Sequence, residues 1–138
     1  MKSRSSVALL YLFLNGNPAP FGESYPTFCD VRDVALAHVL ALGVPPTSMH
    51  KRVLVSGGSF QWTEAVDYLH KTRPEFSKRL HGGDSKSLPV PAPLDTKKAQ
   101  ELLGMKKFTP WRTTIVDALD DLVRVERSWG QFIDASEV

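Results

Sequence analysis

FCDVRDVALAH, residues 28–38, is the stretch of the chain that decides the fold. It overlaps a β-rich run over 27–31, so the sequence predicts a short strand that leads directly into a helix. Asp30 is predicted as the N-cap, because its carboxylate can accept hydrogen bonds from free backbone N–H groups of the first turn. The helix is expected to run to about Leu42, where Gly43 ends it. Its apolar stripe is expected to comprise Val34, Ala37, His38 and Ala41.

Further elements flank this strand and helix. Upstream, Ser5 or Ser6 can cap a helix that ends near Leu14. Downstream, residues 52–56, RVLVS, have the composition of a second strand. Helices are also expected over 63–72 with Thr63 as the cap, from Asp95 or Thr96 to Leu103, and from Pro110 through Val125 with Thr109 as the cap.

These elements predict a single domain over residues 1–138, of the α/β class, rich in helix, with two or three short strands. Residues 16–26 and 81–94 are rich in proline, glycine and serine, and are expected to be loops. Two short strands do not form a stable sheet by themselves, because they need further strands to pair with. The sheet is therefore expected to be incomplete.

Composition and charge exclude several classes of protein. Hydrophobic residues make up 42% of the chain and charged residues 23%, which is typical of a globular fold. The net charge is +2 with interleaved signs, so no nucleic-acid partner is expected. The apolar run 7–14 is too short to span a membrane, and a buried helix is favoured over a signal peptide. A single cysteine, Cys29, excludes an intramolecular disulfide and favours a reducing, cytoplasmic location.

The residue patterns of dinucleotide chemistry are missing from the sequence. A dinucleotide-binding loop needs three glycines, whereas Gly57 and Gly58 are followed by the bulky Phe60 and Trp62. An ordinary turn is therefore expected there. No tyrosine has a lysine four residues later, the pairing in which an ammonium group lowers the pKa of a phenol for proton donation, and Lys71 is off by one from Tyr68.

Other candidate groups favour structural roles. The four histidines share no ligand spacing with one another or with Cys29, so no metal site is expected. His38 is expected to be a core residue, and Cys29 a small buried side chain in a strand. On the last helix, a solvated face is expected with ion pairs between Asp117, Asp120, Asp121 and Arg112, Arg124, Arg127.

Four segments, in order, resemble one family. Residues 28–38 are similar to the F-x-D-V-R-D-V-A-x-A-H segment of extended short-chain dehydrogenases/reductases, in the NAD-dependent epimerase/dehydratase superfamily. Within it, NADPH-dependent ketone and aldehyde reductases, such as dihydroflavonol, cinnamoyl-CoA and fungal methylglyoxal reductases, are the most similar group. Residues 5–16 resemble a helix that ends in Leu-Asn-Gly, and residues 52–60 resemble the strand and turn that follow. Residues 94–111 resemble the closing helices, including the K-x-x-x-L-L-G pattern at 98–104.

This resemblance implies the C-terminal, substrate-side part of a Rossmann-type reductase without the dinucleotide-binding part. It implies NADPH and a small carbonyl substrate for a full-length parent, and no cofactor, catalytic residue or metal in this chain alone. Asp30, Arg32 and Asp33 match the family motif and are expected to be structural, as a helix cap and its charge partner. Phe21 and Tyr25 precede the motif, where substrate pockets of the family tend to be walled, and are implied as substrate contacts.

Two interpretations remain open. In the first, the chain is a truncated reductase that exposes an apolar docking face, with Trp62 or Phe28 contributing to it and with self-association as a consequence. In the second, it is a stand-alone, non-catalytic module that binds a protein partner or a metabolite.

Overall fold

A computed structural model describes residues 6–15, 27–46, 52–80 and 92–134. In chain order the elements are α1 (Ser6–Leu14), β1 (Thr27–Phe28), α2 (Val31–Leu42), β2 (Gly58–Ser59), α3 (Trp62–Thr72), a 3₁₀ turn (Pro74–Phe76), α4 (Lys97–Leu103) and α5 (Trp111–Asp134).

The chain forms two compact units. The helical unit comprises Met1–Ser24, Trp62–Ser87 and Arg112–Val138, and the mixed unit comprises Tyr25–Gln61 and Leu88–Trp111.

The helical unit buries the apolar faces of its helices. Ala65, Val66 and Leu69 recur at helical spacing on one side of α3, and all three are buried. Trp62 is only 7% exposed, because it packs against Phe13 with ring centroids 5.0 Å apart. The prediction that Trp62 contributes to an exposed face is therefore wrong. The other buried apolar side chains of this unit are Leu14, Phe76, Leu80, Ile115 and Leu119.

The core of the mixed unit lies where α2 packs against α4. Ala37 on α2 and Ala99 on α4 are both buried, and their small side chains allow the two helices to approach closely. Leu103 and Met105 complete the buried cluster. Partly buried residues packed around it are Val44, Val53, Val55 and Phe108.

The sheet has two strands, which confirms the predicted helix-rich α/β fold with an incomplete sheet. β1 and β2 are antiparallel, and Thr27 lies opposite Ser59. The predicted strand over 52–56 is wrong: these residues join no ladder in the described part of the chain. Val53 and Val55 nevertheless face the core while Leu54 is 44% exposed. The run thus alternates like a strand but pairs with no strand among the residues that the structure describes.

The predicted helix starts are close to those observed, whereas α5 extends beyond Val125 to Asp134. α2 begins after the Asp30 cap and ends at Gly43 as expected. α3 begins at Trp62, so Thr63 lies inside the helix and is not its cap. α5 begins at Trp111, one residue after the predicted start, and Thr109 makes a different contact described below. At α4 the Asp95 carboxylate, rather than the Thr96 hydroxyl, accepts from the backbone N–H of Lys97 at 2.9 Å.

The buried face of α2 differs from the predicted stripe. His38 is exposed, and its Nδ1 lies 2.7 Å from the Val34 carbonyl oxygen of the preceding turn. The prediction of a core histidine is wrong, because Asp33 and Ala37 occupy the inward positions instead. Among the described residues, none of the helices combines the length and apolar character that a membrane span requires.

Candidate functional site

Asp30 is the centre of the motif at the start of α2. Its Oδ1 accepts from the backbone N–H of Arg32 at 2.9 Å, the N-cap contact that the sequence predicted. The Arg32 guanidinium closes over the same carboxylate in a bidentate pair, with both nitrogen–oxygen distances at 2.8 Å. Asp30 is 2% exposed, whereas the Arg32 side chain is 55% exposed. Both carboxylate oxygens therefore accept hydrogen bonds from Arg32, which favours a structural role for Asp30.

Asp33 connects two segments of the mixed unit that are far apart in sequence. Its Oδ2 accepts from the backbone N–H of Thr109 at 2.7 Å, and its Oδ1 accepts from the Thr109 hydroxyl at 3.2 Å. The carboxylate is buried, so these two bonds replace the water that it loses on folding. Asp33 thereby holds Thr109, just before the start of α5, against the start of α2. This arrangement favours a structural role for Asp33.

The surroundings of Cys29 favour the protonated thiol over the thiolate. Partial burial raises its pKa above the ordinary value of 9.0, and the carboxylates of Asp33 and Asp30 raise it further. Its Sγ lies 3.8 Å from the Asp30 carbonyl oxygen. Because a thiolate rather than a thiol is the nucleophile, the site disfavours covalent chemistry at this sulfur.

The Gly57–Gly58 corner is filled by an aromatic ring. A Cβ on Gly57 would lie 2.5 Å from Cε2 of Phe28, so any other residue there would require the Phe28 ring to shift. Gly58 has φ of +104°, a conformation that favours glycine. The Ser56 hydroxyl accepts from the Gly58 N–H at 3.1 Å and closes the turn.

A stack of rings continues from this corner. The edge of Phe28 meets Phe60 at a centroid distance of 6.0 Å, and Phe60 stacks on Trp111 at 5.1 Å. A pyrophosphate needs open backbone N–H groups at a glycine turn. These residues do not fit a dinucleotide, because the Phe28 ring occupies the space beside Gly57.

The tyrosines described by the structure make contacts unlike those of a proton donor beside an ammonium. The Tyr11 hydroxyl donates to Oε1 of Glu126 at 3.0 Å, so its partner is a carboxylate and not an ammonium group. The Tyr68 ring lies under the Arg112 guanidinium, 5.4 Å from its centroid. Lys71, one residue from the helical spacing that a pair would need, is exposed.

Glu126 is the centre of a charged network in the helical unit. The Arg79 guanidinium donates to both of its carboxylate oxygens, at 2.8 and 2.9 Å, and also to Asn15 at 2.8 Å. These bonds lower the pKa of the Glu126 carboxyl below its ordinary value, against the opposing effect of desolvation. The network joins α1, the segment after the 3₁₀ turn, and α5.

A groove along α5 carries several arginines that the sequence did not single out as a site. It has a volume of about 570 Å³. Arg124 pairs with Asp121, which confirms one of the predicted ion pairs, whereas Asp120 pairs with Arg73, which also pairs with Glu75. Because its charges are largely matched, the groove offers no catalytic arrangement. Its lining comprises Arg73, Glu75, Phe76, Asp120, Val123, Arg124, Arg127 and Ser128.

The outward side of α2 is apolar, a surface that the sequence did not predict. Val31 is 76% exposed, Val39 65% and Leu42 87%, and Ala35 between them is exposed as well. Their spacing of three or four residues places them in one line along the helix, opposite Asp33 and Ala37. We call Val31, Ala35, Val39 and Leu42 the outer stripe.

The remaining predictions concern substrate contacts and metals. Phe21 and Tyr25, the implied substrate contacts, lie outside the described residues, so the structure does not place them. No group of histidine, cysteine or acidic side chains in the described ranges could hold a metal ion.

Comparison with known proteins finds reductases. No protein-family model matches the chain. The NADPH-dependent methylglyoxal reductase of Saccharomyces cerevisiae is 31% identical over 108 residues, which cover 75% of this chain and 31% of the relative. A ketoreductase of Aspergillus niger is 32% identical over 102 residues, or 70% of this chain and 29% of the relative. The chain thus spans less than a third of the length of these curated relatives.

Solved structures agree with the sequence comparison. The crystal structure of yeast methylglyoxal/isovaleraldehyde reductase with NADPH superposes with a TM-score of 0.63 at 28% identity. That superposition covers 86% of this chain and 40% of the yeast enzyme. The corresponding Candida albicans enzyme gives a TM-score of 0.63 at 25% identity, over 90% of this chain and 38% of that enzyme. The matching region is the C-terminal part of these enzymes.

Proposed function

Because the chain corresponds in sequence and fold to the C-terminal part of extended short-chain dehydrogenases/reductases, we propose that it is the substrate-side portion of such a reductase. A full-length enzyme of this kind would transfer a hydride from NADPH to the carbonyl carbon of a small ketone or aldehyde. This chain would supply walls of the substrate pocket and no catalytic residue. The observation that carries the proposal is the match over 75% of this chain to only 31% of a reductase.

Two features of the fold support an incomplete reductase. The alternating run 52–56 has a core-facing and an exposed side but no partner strand in the described residues. A larger parallel sheet would provide that partner. The glycine corner beside it is occupied by Phe28, so the chain lacks a place for the cofactor pyrophosphate there.

The motif residues take structural roles in this proposal. Asp30 and Arg32 start α2, and Asp33 holds the segment before α5. Phe21 and Tyr25 are proposed to contact the carbonyl substrate, since they precede the motif. Residues 1–138 would act together as one substrate-side domain, in the cytoplasm.

Activity of the purified chain tests this assignment. We expect no oxidation of NADPH, followed by its absorbance at saturating cofactor, with methylglyoxal or with a panel of ketones. Steady turnover of any of these carbonyl compounds would contradict the proposed absence of catalytic residues.

A chimera tests the role in the pocket. Residues 1–138 replace the corresponding C-terminal part of the yeast methylglyoxal reductase, and the product is assayed with NADPH and a carbonyl panel. We expect reduction with a substrate preference different from that of the yeast enzyme, which serves as the control. A chimera that binds NADPH but reduces no carbonyl compound would contradict the proposed pocket role.

The alternative is a stand-alone module that binds a protein or a metabolite through an apolar surface, and the outer stripe is the observation that favours it. A defined, saturable complex of the isolated chain, together with an inactive chimera, would favour this alternative.

A further inference from the structure

The sequence of α2 is apolar on nearly every side. A surface helix in a folded protein carries one apolar face and one polar face, as α3 and α5 do, whereas a helix that is apolar all round is normally buried on both sides. The polar residues of α2 are Arg32, Asp33 and His38. Two of them form hydrogen bonds within the unit: Arg32 donates to Asp30, and Asp33 accepts from Thr109.

The two sides of α2 have different surroundings. Its inward side, with Asp33 and Ala37, is buried against the unit to which it belongs. The outer stripe on the opposite side is 65–87% exposed at its three largest residues. Single exposed apolar residues are ordinary, but a continuous line of them along one helix marks a surface that another body covers.

From this arrangement we propose that the outer stripe is the surface against which the NADPH-binding part of a reductase packs, so that α2 becomes a helix buried between two layers. This inference rests on the proposed function and names the partner of its docking face. The yeast relative indicates the size of that partner, since 69% of the yeast enzyme lies outside its match to this chain.

The dimensions of the stripe favour this occupant over a second copy of the chain. Eleven residue steps along a helix span roughly 17 Å, so the stripe presents on the order of 200 Å². A stable interface between separate proteins buries about 800 Å² on each partner. A part of the same polypeptide does not lose the translational and rotational freedom that separate molecules lose, so a small apolar face is sufficient for it.

The first experiment tests whether the outer stripe is exposed to solvent in the isolated chain of residues 1–138. We expect a monomer in analytical ultracentrifugation that enhances the fluorescence of the apolar dye anilinonaphthalene sulfonate. Val39→Lys should reduce this enhancement at least twofold. Leu102→Lys is the matched control, since Leu102 is 41% exposed on α4 in the same unit, and it should leave the enhancement unchanged. No dye binding, or a dimer that Val39→Lys dissociates, would overturn the proposal.

The second experiment tests, in the yeast chimera, whether the NADPH-binding part covers the outer stripe. Because a lysine at the stripe would be buried there without a partner, Val39→Lys should lower the melting temperature by roughly 5 °C. The same substitution should leave that of the isolated chain within about 2 °C, as should Leu102→Lys in either protein. Equal shifts for the two variants in the chimera would overturn the proposal. A folded but inactive chimera that retains the difference would contradict the proposed function and leave the docking face supported.

Discussion

Asp33 shows how one residue can fix a long-range contact. Its carboxylate accepts two hydrogen bonds from Thr109, and the pair is partly buried. Asp33→Ala would leave the Thr109 N–H without its acceptor, at a cost of about 1–3 kcal/mol in the free energy of unfolding. Urea denaturation followed by circular dichroism measures this loss.

The control for Asp33 is Asp67→Ala, on the exposed side of α3, with an expected change within about 0.5 kcal/mol. A loss at Asp33 no larger than that at Asp67 would show that the contact contributes nothing to stability.

Cys29 gives a prediction on reactivity. Desolvation first, and then the carboxylates of Asp33 and Asp30, raise the pKa of its thiol. The fraction of thiolate at pH 8 is therefore smaller than for an unperturbed cysteine, and its reaction with Ellman's reagent should be slower than that of glutathione. In 8 M urea the difference should disappear, because unfolding removes both causes. A native rate equal to the unfolded rate at each pH between 7 and 9 is incompatible with this environment.

At the scale of elements, the Arg79–Glu126 pair links α5 to α1 and to the segment after the 3₁₀ turn. The pKa of Glu126 is lowered in the folded state, so the carboxylate stabilises the fold at pH above its ordinary value of 4.5. This stabilisation is lost as the pH falls below 4.5 through the folded-state pKa. Glu126→Gln should thus cost about 1 kcal/mol at pH 7 and much less at pH 3.

Urea denaturation at the two pH values checks the Glu126 prediction. Glu101→Gln is the control, because Glu101 forms an exposed pair with Lys97 at 3.7 Å on a single helix. It should change stability less than Glu126→Gln does at pH 7. A Glu126 effect that is the same at pH 7 and pH 3 would show that its charge is not the source.

Local sequence predicted elements well where local contacts decide them. The apolar spacing of α3, the Asp30 cap and the Gly43 stop all depend on neighbours within one or two turns. The prediction of a strand over 52–56 was wrong, because a strand needs a partner strand and the described residues provide none. The prediction of the inward face of α2 was wrong, because Asp33 is buried against Thr109, which lies 76 residues away in the sequence.

At the scale of the whole molecule, the chain matches only the C-terminal part of its relatives. Only the site residues that belong to this part could therefore be predicted from its sequence. The motif that contains Asp30, Arg32 and Asp33 identified the family, because it resembles a segment of these reductases. It did not identify the outer stripe, because Val31, Ala35, Val39 and Leu42 look like an ordinary core face until the packing of α2 is known. Exposure is a property of the assembled fold.

Cofactor binding is expected to distinguish this chain from a complete reductase. A ligand that binds the folded state at 100 times its dissociation constant stabilises the protein by about 2.7 kcal/mol, which raises the melting temperature by several degrees. Because Phe28 fills the Gly57 corner, NADPH at 1 mM should leave the melting temperature of the isolated chain unchanged within about 1 °C. The yeast methylglyoxal reductase, measured beside it, should show the full shift. Phe28→Ala opens the corner, and it too should give no shift, since two glycines without a third do not build a pyrophosphate site. A dose-dependent rise in the melting temperature of the unmodified chain would instead require a nucleotide site that these residues are not expected to form.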